Sequence, residues 1–208
     1  MASRRKRRGA ETYVRRGATR EPYQSVLIVC EGGKTEPNYF NGLRKEYRLS
    51  SANIKITPAG GTDPMSIVSF AEREIEREEY DRIFCVFDRD NHNNYNAAVR
   101  RTSELDHFEA ITSWPCFEVW VLLHFLYSSA PFERAGQLSA CDKVFKKVKK
   151  HFPTYTKSHR GVFDDLAPKL DDAIRHARRL AQHNRQSGSV NPATKIHKLV
   201  NFLIKLKK

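Results

Sequence analysis

The chain of 208 residues carries a formal net charge of +13, with 39% hydrophobic and 29% charged residues. That length supports one domain with a true core plus appendages, while no apolar run approaches the ~20 residues that span a bilayer. The basic N-terminus has no apolar stretch after it, which excludes a secretory signal, and Cys30, Cys85, Cys116 and Cys141 form no C-x-x-C pair, which argues against structural zinc and fits a reducing cytoplasm.

The charge is unevenly spread. Residues 1–20 carry a net +7, residues 21–142 a net −7 and residues 143–208 a net +13. An acidic middle between basic ends suits a nuclease, with cations at the centre and phosphates in the surround. A basic tail plus lysine-rich solvated helix faces would give the same totals.

In chain order, residues 1–20 read as a disordered basic arm able to touch polyanions without sequence specificity. Residues 25–30 (SVLIVC) form a first strand, apolar throughout as in a sheet covered on both faces. Glu31-Gly32-Gly33 makes a tight turn, and a helix follows to about Tyr47 with Thr35 as its N-cap. The GGKT string is not a phosphate-binding P-loop, because the position five before Gly33 is Ile28 rather than glycine. What stands there is a carboxylate, Glu31, at a strand end, where it either meets a cation or complements the helix dipole.

Residues 54–57 read as a second strand, and a helix follows from about Met65 to Tyr80, with Thr62 or Asp63 as cap. The next strand is the most informative. Ile83 to Phe87 are apolar and run straight into Asp88-Arg89-Asp90. Carboxylates two apart leave a strand on the same side, and in open parallel sheets ligands bind beyond the carboxyl ends of the strands. Oxygen-only donors suit a hard divalent cation such as Mg²⁺ or Mn²⁺, although aspartates also simply end strands in turns. Alternation points Arg89 away from both aspartates.

A helix of about residues 95–107 and a weak fourth strand at 110–112 complete a β-α-β-α-β-α-β order, which predicts a parallel sheet. Next comes a nearly all-apolar helix, residues 117–126, containing Glu118 and His124. A carboxylate near the start of a buried helix must be paired or metal-bound, so Glu118 is a further candidate ligand. His124 reads as a core histidine. Ser139 and Asp142 form a capping pair before a lysine-rich helix. The aromatic and basic loop 151–160 has a composition suited to phosphate contact and base stacking. A long helix reads from Asp164 or Pro168 to about His183, residues 186–189 (QSGS) break it, and Asn191-Pro192 reads as the cap of the last helix. Candidate phosphate contacts are Lys34, Lys146, Lys147, Lys150, Arg160, Arg178 and Arg179.

Glu31 after the first strand and D-x-D after a later one resemble the Toprim signature. Longer strings, VCEGGKTEPNYF (29–40), VFDRDNH (86–92), WPCFEVWVLLHF (114–125), the Tyr-x-Lys at 155–157 and NPATKIHKLV (191–200), resemble the RloB / AbiLii abortive-infection family over roughly residues 24–204. The resemblance implies a Toprim-like parallel sheet of about four strands flanked by helices. It implies a Mg²⁺-dependent nuclease acting in defence against phage, beside an AAA-type ATPase partner. By position, Glu31, Asp88 and Asp90 match the Toprim acids, Glu118 matches the family's acid in its Trp/His-rich helix, and Lys157 matches the lysine of Tyr-x-Lys. Related sequences often carry Asn-Pro where this chain has Trp114-Pro115.

The resulting expectation is a basic arm at 1–20, a Toprim-like α/β core at 21–130, and a basic helical extension at 131–208 packed on it. Glu31, Asp88, Asp90 and Lys157 would be catalytic, and Glu31, Asp88, Asp90 and Glu118 would hold metal. The partners would be DNA or RNA, the ATPase and a second copy of the chain, in the cytoplasm and away from membranes. The rival is a catalytically silent nucleic-acid-binding or regulatory subunit of an ATPase complex; primase-like phosphoryl transfer ranks below both.

Overall fold

In the computed structural model, the described residues are 24–61, 63–89 and 92–206. The basic arm at 1–20 and Asp90 lie outside them. The elements in order are β1 (Val26–Cys30), α1 (Thr35–Glu46), β2 (Ile54–Pro58), α2 (Pro64–Ile75), β3 (Arg82–Asp88), α3 (Tyr95–Glu104) and β4 (Phe108–Trp114). They are followed by α4 (Glu118–Leu123), α5 (Ala140–His151), α6 (Val162–Leu166), α7 (Leu170–Ser187), β5 (Ala193–Thr194) and α8 (Ile196–Lys205). No described helix is long and apolar enough to cross a membrane.

The fold is α/β, a five-stranded sheet in the order β2-β1-β3-β4-β5 with helices on both faces and a helical C-terminal region. The first four strands pair in parallel, while β5 joins β4 antiparallel through Ser113↔Thr194 and Trp114↔Ala193. The fifth strand is an addition to the four that periodicity reveals. At two residues, it is too short to alternate.

β1 shows why the sheet is covered twice. Val26, Ile28 and Cys30 pack with Phe84 and Val86 into one core cluster, and Leu27 and Val29 pack with Ile83, Cys85 and Phe87 into another. Period-2 alternation sends neighbours to opposite faces. The second cluster is closed by α2 and α3 through Ile67, Val68, Ala71 and Ala98. The larger first cluster takes α1, α4 and apolar residues from α5, α6, α7 and α8. The C-terminal helices therefore bury the same face of the sheet as α1.

Local caps decide several boundaries. Asp63 caps α2 by accepting from the Ser66 N–H at 3.1 Å, and Ser139 with Asp142 forms a capping box on α5. Thr35 is not the cap of α1 but its first residue; Lys34 precedes the helix without a side-chain bond. Asn191 is not the cap of α8 either. Its amide bridges both backbone groups of Phe132, at 3.2 and 2.7 Å, and Lys195 occupies the cap position. The long C-terminal helix splits into α6, a 3₁₀ turn at Ala167–Lys169 and α7, which ends on left-handed Gly188 (φ 70°). There the absent Cβ makes that conformation cheap.

Candidate active site at the carboxyl edge of the sheet

Because β1, β3 and β4 are parallel, their carboxyl ends open on one edge, and each delivers an acid there. Glu31 follows β1, Asp88 ends β3, and Glu118 opens α4 just after β4. They line one cavity of about 410 Å³ together with Gly32, Lys34, Glu36 and Lys157. The strand register fixes the first contact. Cys30 pairs with Val86, the Glu31 N–H donates to the Val86 carbonyl at 2.9 Å, and the Asp88 N–H donates to Glu31 Oε2 at 2.8 Å. Glu31 is thus fastened to the backbone of the residue that carries the second acid.

Glu118 is 3% exposed. It accepts from the Tyr155 hydroxyl at 3.2 Å, and Lys157 Nζ stands 3.8 Å from the same oxygen. A buried carboxylate is stable only when paired and hydrogen-bonded, and Tyr155-x-Lys157 supplies both partners from the loop after α5. That loop is fastened to α1 by the Thr35 hydroxyl, which donates to the Lys157 carbonyl at 3.0 Å, and by Asn38 Nδ2, which donates to the His159 carbonyl at 3.4 Å. The Glu118 carboxylate raises the Lys157 ammonium above its ordinary value. The charge held at Lys157 is therefore secure at neutral pH.

Glu36 is the residue that sequence reasoning missed. It sits in the first turn of α1 and is 6% exposed. Its carboxyl is pushed up to about 7 by burial, with Glu118 and Glu31 raising it further against a lowering pull from its own backbone N–H and from Lys157. Gly32 makes room for it: a Cβ at that position would lie 2.6 Å from Glu36 Oε2. The available signal was that pairing, a glycine after Glu31 and a second acid five residues on, inside one short turn. Asp88, whose exposed part faces the cavity, is pushed well above the carboxylate range by burial and then by Glu36, Glu31 and Glu118, while the Phe117 N–H pulls it down.

A family model described as RloB-like protein matches residues 26–203. The chain belongs to the RloB-like family. No curated protein and no solved structure matches it.

In this RloB-like protein, the donor chemistry of the cavity fits a hard divalent cation: the acids are oxygen donors, crowded enough to raise Glu36 and Asp88, and Lys157 pairs with Glu118 among them. Among the described residues, no three His, Cys, Asp or Glu side chains converge closely enough to hold an ion by themselves. Asp90, the second member of D-x-D, is outside that set.

The remaining candidates divide. Lys34 is exposed on the glycine turn at the cavity. Arg178 and Arg179 line a separate groove on α7 with Arg175 and Arg185. Lys146, Lys150 and Arg160 are exposed, whereas Lys147 is engaged, donating to Ser128 Oγ at 3.2 Å and lying 5.4 Å from the Phe132 ring. Arg89 turns away from the acids and stacks on Trp114, its guanidinium 3.8 Å from the ring centre. His124 is a core group, with its ring bonded to the Trp120 carbonyl at 3.0 Å and held down to about 4 by burial.

The raised Glu36 has a consequence for stability. A folded value near 7 against an ordinary 4.5 means the native state binds this proton more tightly than the unfolded chain does. Its contribution is therefore most favourable below about 4.5 and declines as pH rises from there toward 7. In EDTA, Glu36→Gln should melt above wild type at about pH 8, with the gap closing toward about pH 5. A gap independent of pH in paired melting curves would contradict the assignment.

Proposed function

We propose that this RloB-like protein is a Toprim-type nuclease that hydrolyses phosphodiester bonds of DNA or RNA with Mg²⁺ or Mn²⁺. The observation that carries this reading is the convergence of Glu31, Asp88 and Glu118, from three separate strand ends, on one cavity that also receives Lys157. A glutamate after the first strand and an aspartate after a central neighbour is the layout of the Toprim acids. Asp88, Asp90, Glu31 and Glu118 are the residues that would hold metal. When bound, a divalent cation supplies Lewis-acid polarisation of the phosphoryl group and lowers the pKa of a water.

The protein's own groups do the rest. Glu31, anchored by the Asp88 N–H, is held rigidly enough to orient a water or a ligand. The Lys157 ammonium, or Lys34 on the glycine turn, would offset the charge that develops on the phosphoryl oxygens. Tyr155 keeps Glu118 fixed, so that Lys157 has a defined resting place. The resemblance carried by residues 29–40, 86–92 and 114–125 supports extending the proposal to role and partner: an effector of abortive infection against phage, working with an AAA-type ATPase.

The test is cleavage of labelled DNA, messenger-like RNA and tRNA with Mg²⁺, with Mn²⁺ and in EDTA, with and without the purified ATPase. Metal-dependent products are expected. Cleavage that persists in EDTA overturns the metal-dependent reading. One observation favours the rival silent subunit: Glu118 already has Lys157 and Tyr155 as partners, as a purely structural acid would. Retention of nucleic acid without turnover, in excess Mn²⁺ and with the ATPase present, would decide for it.

A further inference from the structure

Beyond the acid cavity, a second recess of about 320 Å³ opens between the end of β4, α7, β5 and the start of α8. That volume is at the low end of pockets that hold one small molecule (about 300–1,000 Å³). Its wall begins one residue after Asp88. Arg89 donates its N–H to the Ser113 carbonyl at 2.7 Å, and its guanidinium stacks 3.8 Å over Trp114 and 5.0 Å from the Tyr95 ring. The recess therefore starts from a flat cationic and aromatic platform, the kind of surface on which a nucleobase stacks.

One buried polar atom in this wall has no partner. Asn184 donates from Nδ2 to the Pro192 carbonyl at 2.8 Å, which fixes the amide and leaves Oδ1 buried and unsatisfied. His197 is 7% exposed, and its ring lies against the Thr194 backbone. A buried polar atom without a hydrogen bond is costly, and both residues line the recess. Arg185 and Lys198 are exposed at the same recess. Arg185 and His197 are shared with the neighbouring groove of about 500 Å³ that carries Arg178 and Arg179. The arrangement is a stacking platform, a buried amide oxygen without a partner beside it and a run of cations leading away.

We propose that this recess holds one unpaired nucleotide of the substrate, its base against the Arg89–Trp114 platform and its flanking phosphates on Arg185, Lys198 and the α7 arginines. The proposal rests on the nucleic-acid reading above and narrows it, because a base can lie on the Arg89–Trp114 platform only when it is out of a duplex stack. The preferred substrate class is then a single strand, a loop or a bulge rather than a continuous duplex.

The experiment is fluorescence anisotropy in EDTA, where the metal is absent, with full-length protein. The probes are a labelled single strand, its blunt duplex and a duplex carrying one bulged nucleotide. The single strand and the bulge should bind roughly tenfold tighter than the blunt duplex, since a paired base is not free to stack on the platform. Trp114 emission should be quenched on binding, whereas Trp120, 0% exposed, should not respond. The exposed pair Arg185→Ala/Lys198→Ala, with an unchanged melting curve, should lose about tenfold in single-strand affinity. Equal affinity for blunt duplex, an unresponsive Trp114, or wild-type binding by that variant would each overturn the proposal. If single-strand preference and quenching are found but no cleavage occurs with metal, the recess stands and the nuclease reading fails; cleavage retained with no such preference gives the reverse.

Discussion

Asp88→Asn is expected to abolish metal-dependent cleavage while leaving the fold intact. The substitution keeps the shape of the side chain and the Phe117 N–H as a neighbour, and it removes a negative charge from a place where Glu36, Glu31 and Glu118 already oppose it. The rate should fall by roughly a hundredfold or more, because a group at the metal and its immediate support rarely cost less. Stability should hold or rise at neutral pH, since the fold no longer confines that charge among like charges. Cleavage rates and calorimetric melts measured side by side separate the two effects. Normal cleavage by the variant would remove Asp88 from the chemistry; a collapsed melting transition would show that it is a structural group.

Phe163→Ala is expected to give the largest loss of stability among single substitutions near the site. Phe163 is 1% exposed on α6. It presses on α1 so closely that a Cβ at Gly42 would lie 2.5 Å from its own Cβ, and its ring meets Tyr39 edge-on at 5.2 Å between centres. Glycine is needed at 42 because the two backbones approach there, not because of any unusual φ. Truncating a fully buried aromatic costs about 3–5 kcal/mol, which for a chain of this size lowers the melting temperature by roughly ten degrees. Activity should suffer too, since α6 follows directly on the loop that presents Tyr155 and Lys157. Differential scanning calorimetry decides the first part, and a variant that melts like wild type would mean α6 contributes little to holding the C-terminal region on the sheet.

Much of the architecture could be read from residues alone, for identifiable reasons. The continuous apolar runs of β1 and β3 and their abrupt ends at Glu31 and Asp88 announce buried parallel strands, and the Ser139–Asp142 box marks the start of α5. β4 looked short in the sequence because Glu109 and Ser113 interrupt its apolar run, yet it runs from Phe108 to Trp114. Glu109 is tolerated there because Arg82 on β3 meets it at 3.0 Å. The site was legible in the acids that end strands and illegible in those that enter from elsewhere. Glu36 looks like an ordinary first-turn acid until Gly32 is seen to admit it. Cys116 and Cys141, far apart in sequence, bring their side chains together in space, a meeting that depends on how α5 docks and leaves no trace in spacing.

The loop that carries Tyr155 and Lys157 has a consequence in time as well as in space. Thr35 and the Lys157 carbonyl it binds are 122 residues apart. During synthesis, Glu31, Asp88 and Glu118 therefore emerge well before the cation that balances them and before α6, which docks on α1. A chain released early would carry crowded acids with neither their counter-charge nor the helices that bury their side of the sheet. A product truncated before Tyr155 should thus lack a complete site, which forms only once the 151–160 loop and α6 have been made. The order of synthesis thus sets the order of assembly, with the acids laid down first and their counter-charge and covering helices added after them.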